Sequence, residues 1–326
     1  MTEAIQTLNR VLRGCKLDAE CVHSHHHRHF AFYDLVLQPG CRISRIKHFI
    51  NEIALAMRAE TAPIVKSIPS KGLVRLQITR SAPEMIRFQD LIASNPAPEG
   101  GLPFLFGETD EGQALWVDMT KNPHLLVAGS TGSGKSVFLH NLIYNALRRE
   151  DIELFLVDTK LVEFHQYANE PQVHNVASNY LEALNVLETL CQVMEKRYQL
   201  LRQYNFTNLE QCPELFNKIL LVIDEAADVL LADQGRMFEK TLIKLAAKSR
   251  AAGIHIVLAT QRPSADIITG LIKTNFPARL ACKVASRMDS QIVLDCPGAE
   301  NLGGRGDALF KNMAHDLTRL QIALTP

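Results

Sequence analysis

At 326 residues, with 47% hydrophobic and 21% charged side chains, the chain has an ordinary globular composition and is long enough for about two domains. Lys+Arg and Asp+Glu balance at 35 each, which excludes a global basic field, so any nucleic-acid contact needs locally placed cations. Seven cysteines without a C-x-x-C pair exclude a disulfide framework and point to a reducing, cytoplasmic setting; there is no signal-peptide apolar region, and aliphatic runs of strand length are too short to span a membrane.

The first 29 residues read as an extension that opens helically and then carries His23-Ser24-His25-His26-His27-Arg28-His29 near Cys15 and Cys21. Imidazoles and thiols can hold Zn²⁺, but the ordered pair spacing of a structural site is missing, so a solvated histidine-rich loop is the simpler reading. From residue 30 to 95 a small α+β domain is expected. Phe32 to Leu37 alternates like a strand, Ile43 to Met57 has helical periodicity, and Gly72 to Thr79 alternates again. The segment Ser94 to Pro103 gathers three prolines and two glycines, the punctuation of a linker, and a larger domain is expected over 96–326.

In that second domain apolar strands alternate with helices, which predicts an α/β fold with a mainly parallel sheet covered on both faces. Strands are expected at His124 to Ala128, Glu153 to Asp158, Lys218 to Asp224 and Gly253 to Gln261. A helix follows from Val137 to Leu147. A long helix presents Leu181, Leu184, Leu187, Leu190, Met194, Tyr198 and Leu201 as a stripe for packing on a sheet.

Between the first of those strands and its helix lies Gly129-Ser130-Thr131-Gly132-Ser133-Gly134-Lys135-Ser136, a G-x-x-x-x-G-K-[ST] loop followed by Val137. Glycines let backbone N–H groups converge on phosphates, and the helix N-terminus adds its positive end. Lys135 is expected to reach the β/γ-phosphates, and the Ser136 hydroxyl to ligate Mg²⁺. Ile219 to Ile223 ends in Asp224-Glu225, a Walker B element: Asp224 would hold the Mg²⁺ shell beside Ser136 if the strands are neighbours. Glu225 would take a proton from the attacking water. Gln261, at the end of another strand, is placed to sense the γ-phosphate or orient water, with a loop-capping role as the alternative.

The strand ending at Asp158, between the phosphate-loop and Walker B strands in sequence, together with Glu225, resembles the RecA-like P-loop ATPases and favours ATP. Closer still, Arg250 to Asn275, Pro123 to Ser136, Val157-Asp158-Thr159-Lys160, Asp224 to Asp228 and Leu294 to Glu300 look like the signatures of the FtsK/SpoIIIE double-stranded DNA translocases. Leu37 to Leu76 is similar to that family's small α domain, so the likeness runs over about Phe30 to Pro326. The resemblance implies a hexameric ring around duplex DNA, with ATP and Mg²⁺ at subunit interfaces. It implies Arg250 as a trans-acting arginine finger, the alternative being a helix-end cation beside Lys248. It offers Arg287, where relatives often have lysine, as a second cation at the nucleotide.

The resemblance also turns the loop from Arg262 to Asn275 toward the channel. Arg262 and Lys273 would touch DNA phosphates while Thr269, Gly270 and Asn275 supply compact polar neighbours, and Ile267, Ile268, Leu271 and Ile272 pack inward. The chain stops soon after Leu320 to Leu324, without the family's winged-helix γ domain or membrane spans, so an excised motor or a naturally minimal relative is expected. Two other readings stand beside a DNA motor: a related motor that moves protein, and an ATP-gated scaffold without catalysis.

Overall fold

The computed structural model describes residues 3–59, 61–80, 84–233 and 236–326. They form two compact units: 1–85 with short returns at 110–113 and 301–303, and 86–109, 114–300 and 304–326.

The first unit comprises α1 (Glu3–Gly14), β1 (Ala19–His26), β2 (Phe30–Leu37), α2 (Ile43–His48), α3 (Ile50–Ala56), β3 (Ile64–Ile68) and β4 (Leu73–Thr79). Its strands form an antiparallel sheet in the order β1-β2-β4-β3. Ile5, Leu8 and Leu12 recur at helical spacing on α1, and they join Leu35, Ile46, Ile53, Val74 and Leu76 in one core. Residues 3–29 are therefore integral to this unit. The histidine-rich segment departs from the expected loop: its residues up to His26 continue a strand, paired residue by residue from Ala19↔Leu37 to His26↔Ala31 with a bulge at Cys21/His23. Period-two burial carries the strand, since Cys21 is buried between exposed neighbours and Asn9 Oδ1 accepts its N–H at 2.7 Å. His25 stacks on Phe32 at 4.8 Å, and burial followed by the Arg75 charge lowers its pKa. Among the described residues no group of three or more His, Cys, Asp or Glu is placed to hold a metal ion.

The expected long helix over Ile43 to Met57 is broken at Phe49 into α2 and α3. The division between units precedes the proline-rich segment because α4 (Phe88–Ser94) packs with Ile86, Leu105 and Ala323 of the second unit. Leu324 closes that contact, donating to Ile86 O and accepting from Phe88 N, both at 2.8 Å.

The second unit continues with β5 (Pro103–Thr109), β6 (Ala114–Asp118), β7 (His124–Ala128), α5 (Lys135–Leu147), β8 (Ile152–Val157), β9 (Val173–Ala177), α6 (Tyr180–Gln203), β10 (Lys218–Ile223), α7 (Ala226–Ala232) and α8 (Met237–Lys248). It ends with β11 (Ile254–Thr260), α9 (Gly270–Asn275), β12 (Ala278–Cys282), α10 (Arg287–Leu294), β13 (Asp307–Lys311) and β14 (Leu317–Ile322). Its ten strands are ordered β6-β5-β14-β13-β12-β7-β11-β10-β8-β9. From β12 to β9 every pairing is parallel, and the β13 side is antiparallel. The expected mainly parallel α/β sheet is present. Strands β7, β10 and β11 are aliphatic runs buried on both faces, as helices above and below a parallel sheet require.

The Walker B strand β10 is not adjacent to the phosphate-loop strand β7, because β11 lies between them. Helix α6 starts at an Asn179 cap and buries Ala183, Val186, Leu187, Leu190, Cys191, Met194 and Leu201. Leu181, expected in that stripe, is 73% exposed because it lies one residue past the first helical position, on the outer face. Among the described residues no helix is long and apolar enough to cross a membrane, and all seven cysteines are free thiols.

Candidate functional site

The phosphate loop joins buried β7 to α5 at the C-terminal edge of the parallel strands, where α/β sheets bind their ligands. Close approach of backbone explains two of its glycines. A Cβ at Gly129 would meet Ser133 Oγ and, at 2.8 Å, Cys282 Cβ; one at Gly134 would run into the Gly306 backbone, and Gly134 sits at φ 106°. The loop is buttressed from behind, with Ser130 N donating to Lys283 O at 2.9 Å, Gly306 N to Ser133 O at 2.8 Å and Arg305 N to Gly132 O at 3.3 Å. Burial, followed by the Asp307 charge, pushes the Cys282 thiol behind the loop up to about 12, so it packs as a neutral side chain. These contacts brace the N–H-rich loop, a cradle that fits phosphate oxygens.

Lys135, only 3% exposed, donates to Asp224 O at 2.8 Å and to Asp224 Oδ1 at 2.5 Å. The ammonium and the Walker B carboxylate thus meet across β11. The Ser136 hydroxyl donates to Glu163 Oε1 at 2.7 Å, and Glu163 Oε2 lies 3.2 Å from His140 Nε2. Strand β11 lies between the strands that carry the phosphate loop and Asp224, and the segment after β8 brings Glu163 to the Ser136 hydroxyl. Asp158, fully buried, shapes that segment by accepting Glu163 N at 2.9 Å and Phe164 N at 2.8 Å.

Glu225 is 4% exposed and caps α7. It accepts the Thr260 hydroxyl at 2.6 Å and Gln261 N at 3.0 Å, while the Gln261 side chain accepts Thr131 Oγ1 at 3.2 Å. Adjacent strand ends thereby link the Walker B acid, through Gln261, to the phosphate loop. Val137 lies in the first turn of α5, partly buried.

Arg250 lies at the other edge of the sheet, exposed on the 3₁₀ turn Ser249–Ala252 before β11. The seven-residue strand β11 separates it from Gln261, a span of roughly 20 Å at about 3.3 Å per residue, so Arg250 does not reach its own chain's phosphate loop. It borders a cavity of about 500 Å³ with Lys248, Tyr198 and His255. Helix α6 fixes the turn: Arg197 Nη1 donates to Ala252 O at 2.8 Å and the Tyr198 hydroxyl donates to Lys248 O. Arg287 is exposed in the first turn of α10, behind a Ser286–Asp289 capping box; β12, the strand before it, ends at the phosphate loop.

In the segment after Gln261, Arg262 and Gly270 are exposed. Thr269 caps α9 and donates its hydroxyl to Glu239 Oε1 at 2.9 Å. Lys273 is engaged by Asp295 Oδ1 at 2.5 Å, and Asn275 donates its amide to Leu271 O at 2.9 Å. Burial opposes ionisation of Asp295, yet hydrogen bonds from Lys273 and Arg279 hold its carboxyl down at about 2. Ile267, Ile268 and Ile272 pack inward as expected; Leu271 is instead 62% exposed, because the short helix turns it outward. Sequence reading missed Glu163, Thr260, Lys283 and Arg305. For Glu163 a signal existed, an acid shortly after a strand that ends at the ligand-binding edge; the others are joined to the site only by strand order.

The FtsK/SpoIIIE family profile matches residues 96–219 and 210–265, and the FtsK alpha-domain profile matches 1–79. The second match includes the first 29 residues, where no family likeness was expected. The chain is 37% identical over 302 residues to the DNA translocase FtsK of Chlamydia muridarum, covering 86% of this chain and 38% of that protein. It is 35% identical over 326 residues to the DNA translocase FtsK of Haemophilus influenzae, covering 88% and 61%. It therefore spans less than two thirds of either relative. Among solved structures, the pCW3 conjugation coupling protein TcpA, in a monomer form with ATPgS, superposes with a TM-score of 0.69 at 24% identity over 99% of this chain and 95% of that one. The cytoplasmic domain of the Thermomonospora curvata type VII secretion ATPase EccC superposes at 0.61 and 24%, over 71% and 29%. With two profiles covering both units and relatives above 30% identity over most of its length, the chain belongs to the FtsK/SpoIIIE family.

Proposed function

We propose that the chain is an ATP-hydrolysing motor that assembles as a hexameric ring and moves double-stranded DNA through its channel. The observation that carries this reading is the division of the site between opposite sheet edges. The phosphate loop, Lys135, Ser136, Asp224, Glu225 and Gln261 gather at one edge, and an exposed, well-braced Arg250 stands at the other. An arginine that its own chain's phosphate loop cannot use is suited to complete the site of a second copy, as a ring supplies. The names of the relatives, DNA translocases and a conjugation coupling protein, support DNA as the track.

Within such a site Gly129 to Val137 cradle the phosphates, Lys135 neutralises their charge, and Ser136 with Asp224 holds Mg²⁺, which when bound stabilises charge on the phosphate oxygens. Glu225 takes the proton of the attacking water, and Gln261, tied to both Glu225 and Thr131, reports which nucleotide is present. Arg287 is a further cation toward the nucleotide. Arg262, Thr269, Gly270, Lys273 and Asn275 form the DNA-facing segment, in which Arg262 is the exposed cation and Lys273 must first exchange Asp295 for a phosphate. The seven free thiols fit a cytoplasmic setting.

ATP turnover with and without long duplex DNA, run beside displacement of a triplex strand from the same DNA, tests the reading. Stimulation together with displacement is expected. Turnover indifferent to duplex DNA would instead leave a protein-moving ATPase, and nucleotide binding without turnover would leave a scaffold.

A further inference from the structure

The network around Ser136 has a direction. Ser136 and His140 stand one turn apart on the same face of α5, and both meet Glu163: Ser136 Oγ donates to Oε1 at 2.7 Å and His140 Nε2 lies 3.2 Å from Oε2. His140 Nδ1 is in turn 2.8 Å from the Tyr167 hydroxyl. An Nε2–H facing the carboxylate leaves Nδ1 as acceptor for that hydroxyl, so a neutral imidazole satisfies both neighbours. Glu163 is thus fixed through its backbone by Asp158 and through its second oxygen by His140. It remains 29% exposed, open to the site's solvent.

We propose that Glu163 is the positioning residue that makes Ser136 a cation ligand and thereby sets the Mg²⁺ requirement of nucleotide binding. This rests on the nucleotide reading above. A serine hydroxyl has one proton and two lone pairs, and it binds a cation through a lone pair with the proton turned away. Glu163 takes that proton, which leaves only lone pairs for the metal. Asp224 is not the acceptor here, because the one Ser136 hydroxyl proton goes to Glu163 Oε1, while Asp224 Oδ1 receives Lys135. The arrangement gives the two carboxylates separate tasks, Asp224 at the ammonium and Glu163 behind the ligating hydroxyl. Outer carboxylates of this kind orient the ligand and raise its basicity, and their loss typically lowers metal affinity about 10–100-fold.

The test measures binding of a fluorescent ATP analogue to the full chain in EDTA and across a Mg²⁺ titration, for the wild type, Glu163→Ala and Glu163→Gln. Expected is an unchanged affinity in EDTA, with the Mg²⁺ concentration for half-maximal enhancement raised about tenfold in Glu163→Ala and by less in Glu163→Gln, whose neutral amide oxygen still accepts the Ser136 proton. Tyr167→Phe, which frees His140, should shift it in the same direction by less. The same Mg²⁺ midpoint in Glu163→Ala, which has no acceptor for the Ser136 proton, as in the wild type would overturn the proposal. So would an equal loss of binding with and without metal, the mark of a purely structural glutamate. Should Glu163→Ala fail to fold, Glu163→Leu, which keeps the bulk and removes the acceptor, decides in its place. If the wild type binds no nucleotide at any Mg²⁺ concentration, the nucleotide reading itself fails; a wild type that responds to Mg²⁺ beside variants that respond identically sinks only the role of Glu163.

Discussion

Glu225 and Gly134 show how single residues constrain this site in opposite ways, one by charge and one by the absence of a side chain. Glu225 is buried yet holds Thr260 and Gln261, so Glu225→Gln keeps the shape while removing the base. Turnover should fall by about 10²–10⁴-fold with ATP affinity retained, measured by steady-state kinetics beside equilibrium binding. Gly134 combines a left-handed φ with the Gly306 backbone directly behind it, so Gly134→Ala carries both strain and a clash. Nucleotide binding by that variant should be lost by calorimetry; retained affinity would mean that the loop relaxes freely, against the bracing hydrogen bonds from Arg305 and Gly306. The glycines, Lys135, Ser136 and the Asp224-Glu225 pair were legible in sequence because local geometry and charge define each of them. Glu163 was legible only as an acid after a strand that ends at the ligand-binding edge; its pairing with Ser136, 27 residues away, is made by the fold.

At the scale of elements, α6 is more than a cover for the sheet. Buried Arg197 reaches Ala252 O and stacks over Phe216 at 5.1 Å, so α6 holds the turn that presents Arg250. Burial lowers the Arg197 pKa, and the Glu153 charge opposes part of that shift. Arg197→Met should leave the Ala252 carbonyl unpaired and destabilise the chain by about 1–3 kcal/mol in denaturant unfolding. In assembled protein it should also lower turnover without altering ATP affinity, since the phosphate loop is on the other edge. Strands β7 and β11 carry a second consequence through His124 and His255, both buried. Burial first, then the neighbouring His255 charge, lowers His124 to about 3, and burial lowers His255 to about 4. Folded pKa values below the ordinary 6.5 mean that the unfolded chain binds more protons, so stability is full above pH 6.5 and declines as pH falls toward 4. Thermal midpoints measured from pH 8 to 5 should drop below 6.5, and His255→Gln should flatten part of the drop. A sequence pattern announced β7 and β11 as buried strands, but that the two imidazoles are buried on opposite faces of the sheet follows from the parallel register, which pairs His124 with Ile256 and so turns His255 to the other side.

For the whole molecule, the decisive feature is that the parallel strands carry the phosphate loop at one end and Arg250 at the other. Lys135→Ala and Arg250→Ala chains should each be inactive alone and regain part of the wild-type ATPase when mixed, because one supplies the phosphate loop and the other the arginine. No recovery on mixing, with assembly verified by sedimentation, would refute the shared site. By itself the amino-acid sequence determined the phosphate loop, the Walker B acids, the buried parallel strands and the family. These are written in contiguous runs whose spacing and polarity act locally. Strand order and three-dimensional neighbours were decided only by tertiary structure: β11 between β7 and β10, the histidine-rich segment as a paired strand, Lys273 held by Asp295, and Glu163 behind Ser136. The physical reason is common to all four. Each depends on contacts between residues distant in the chain, whose energies no local pattern encodes and which arise only when the whole sheet has closed over its core.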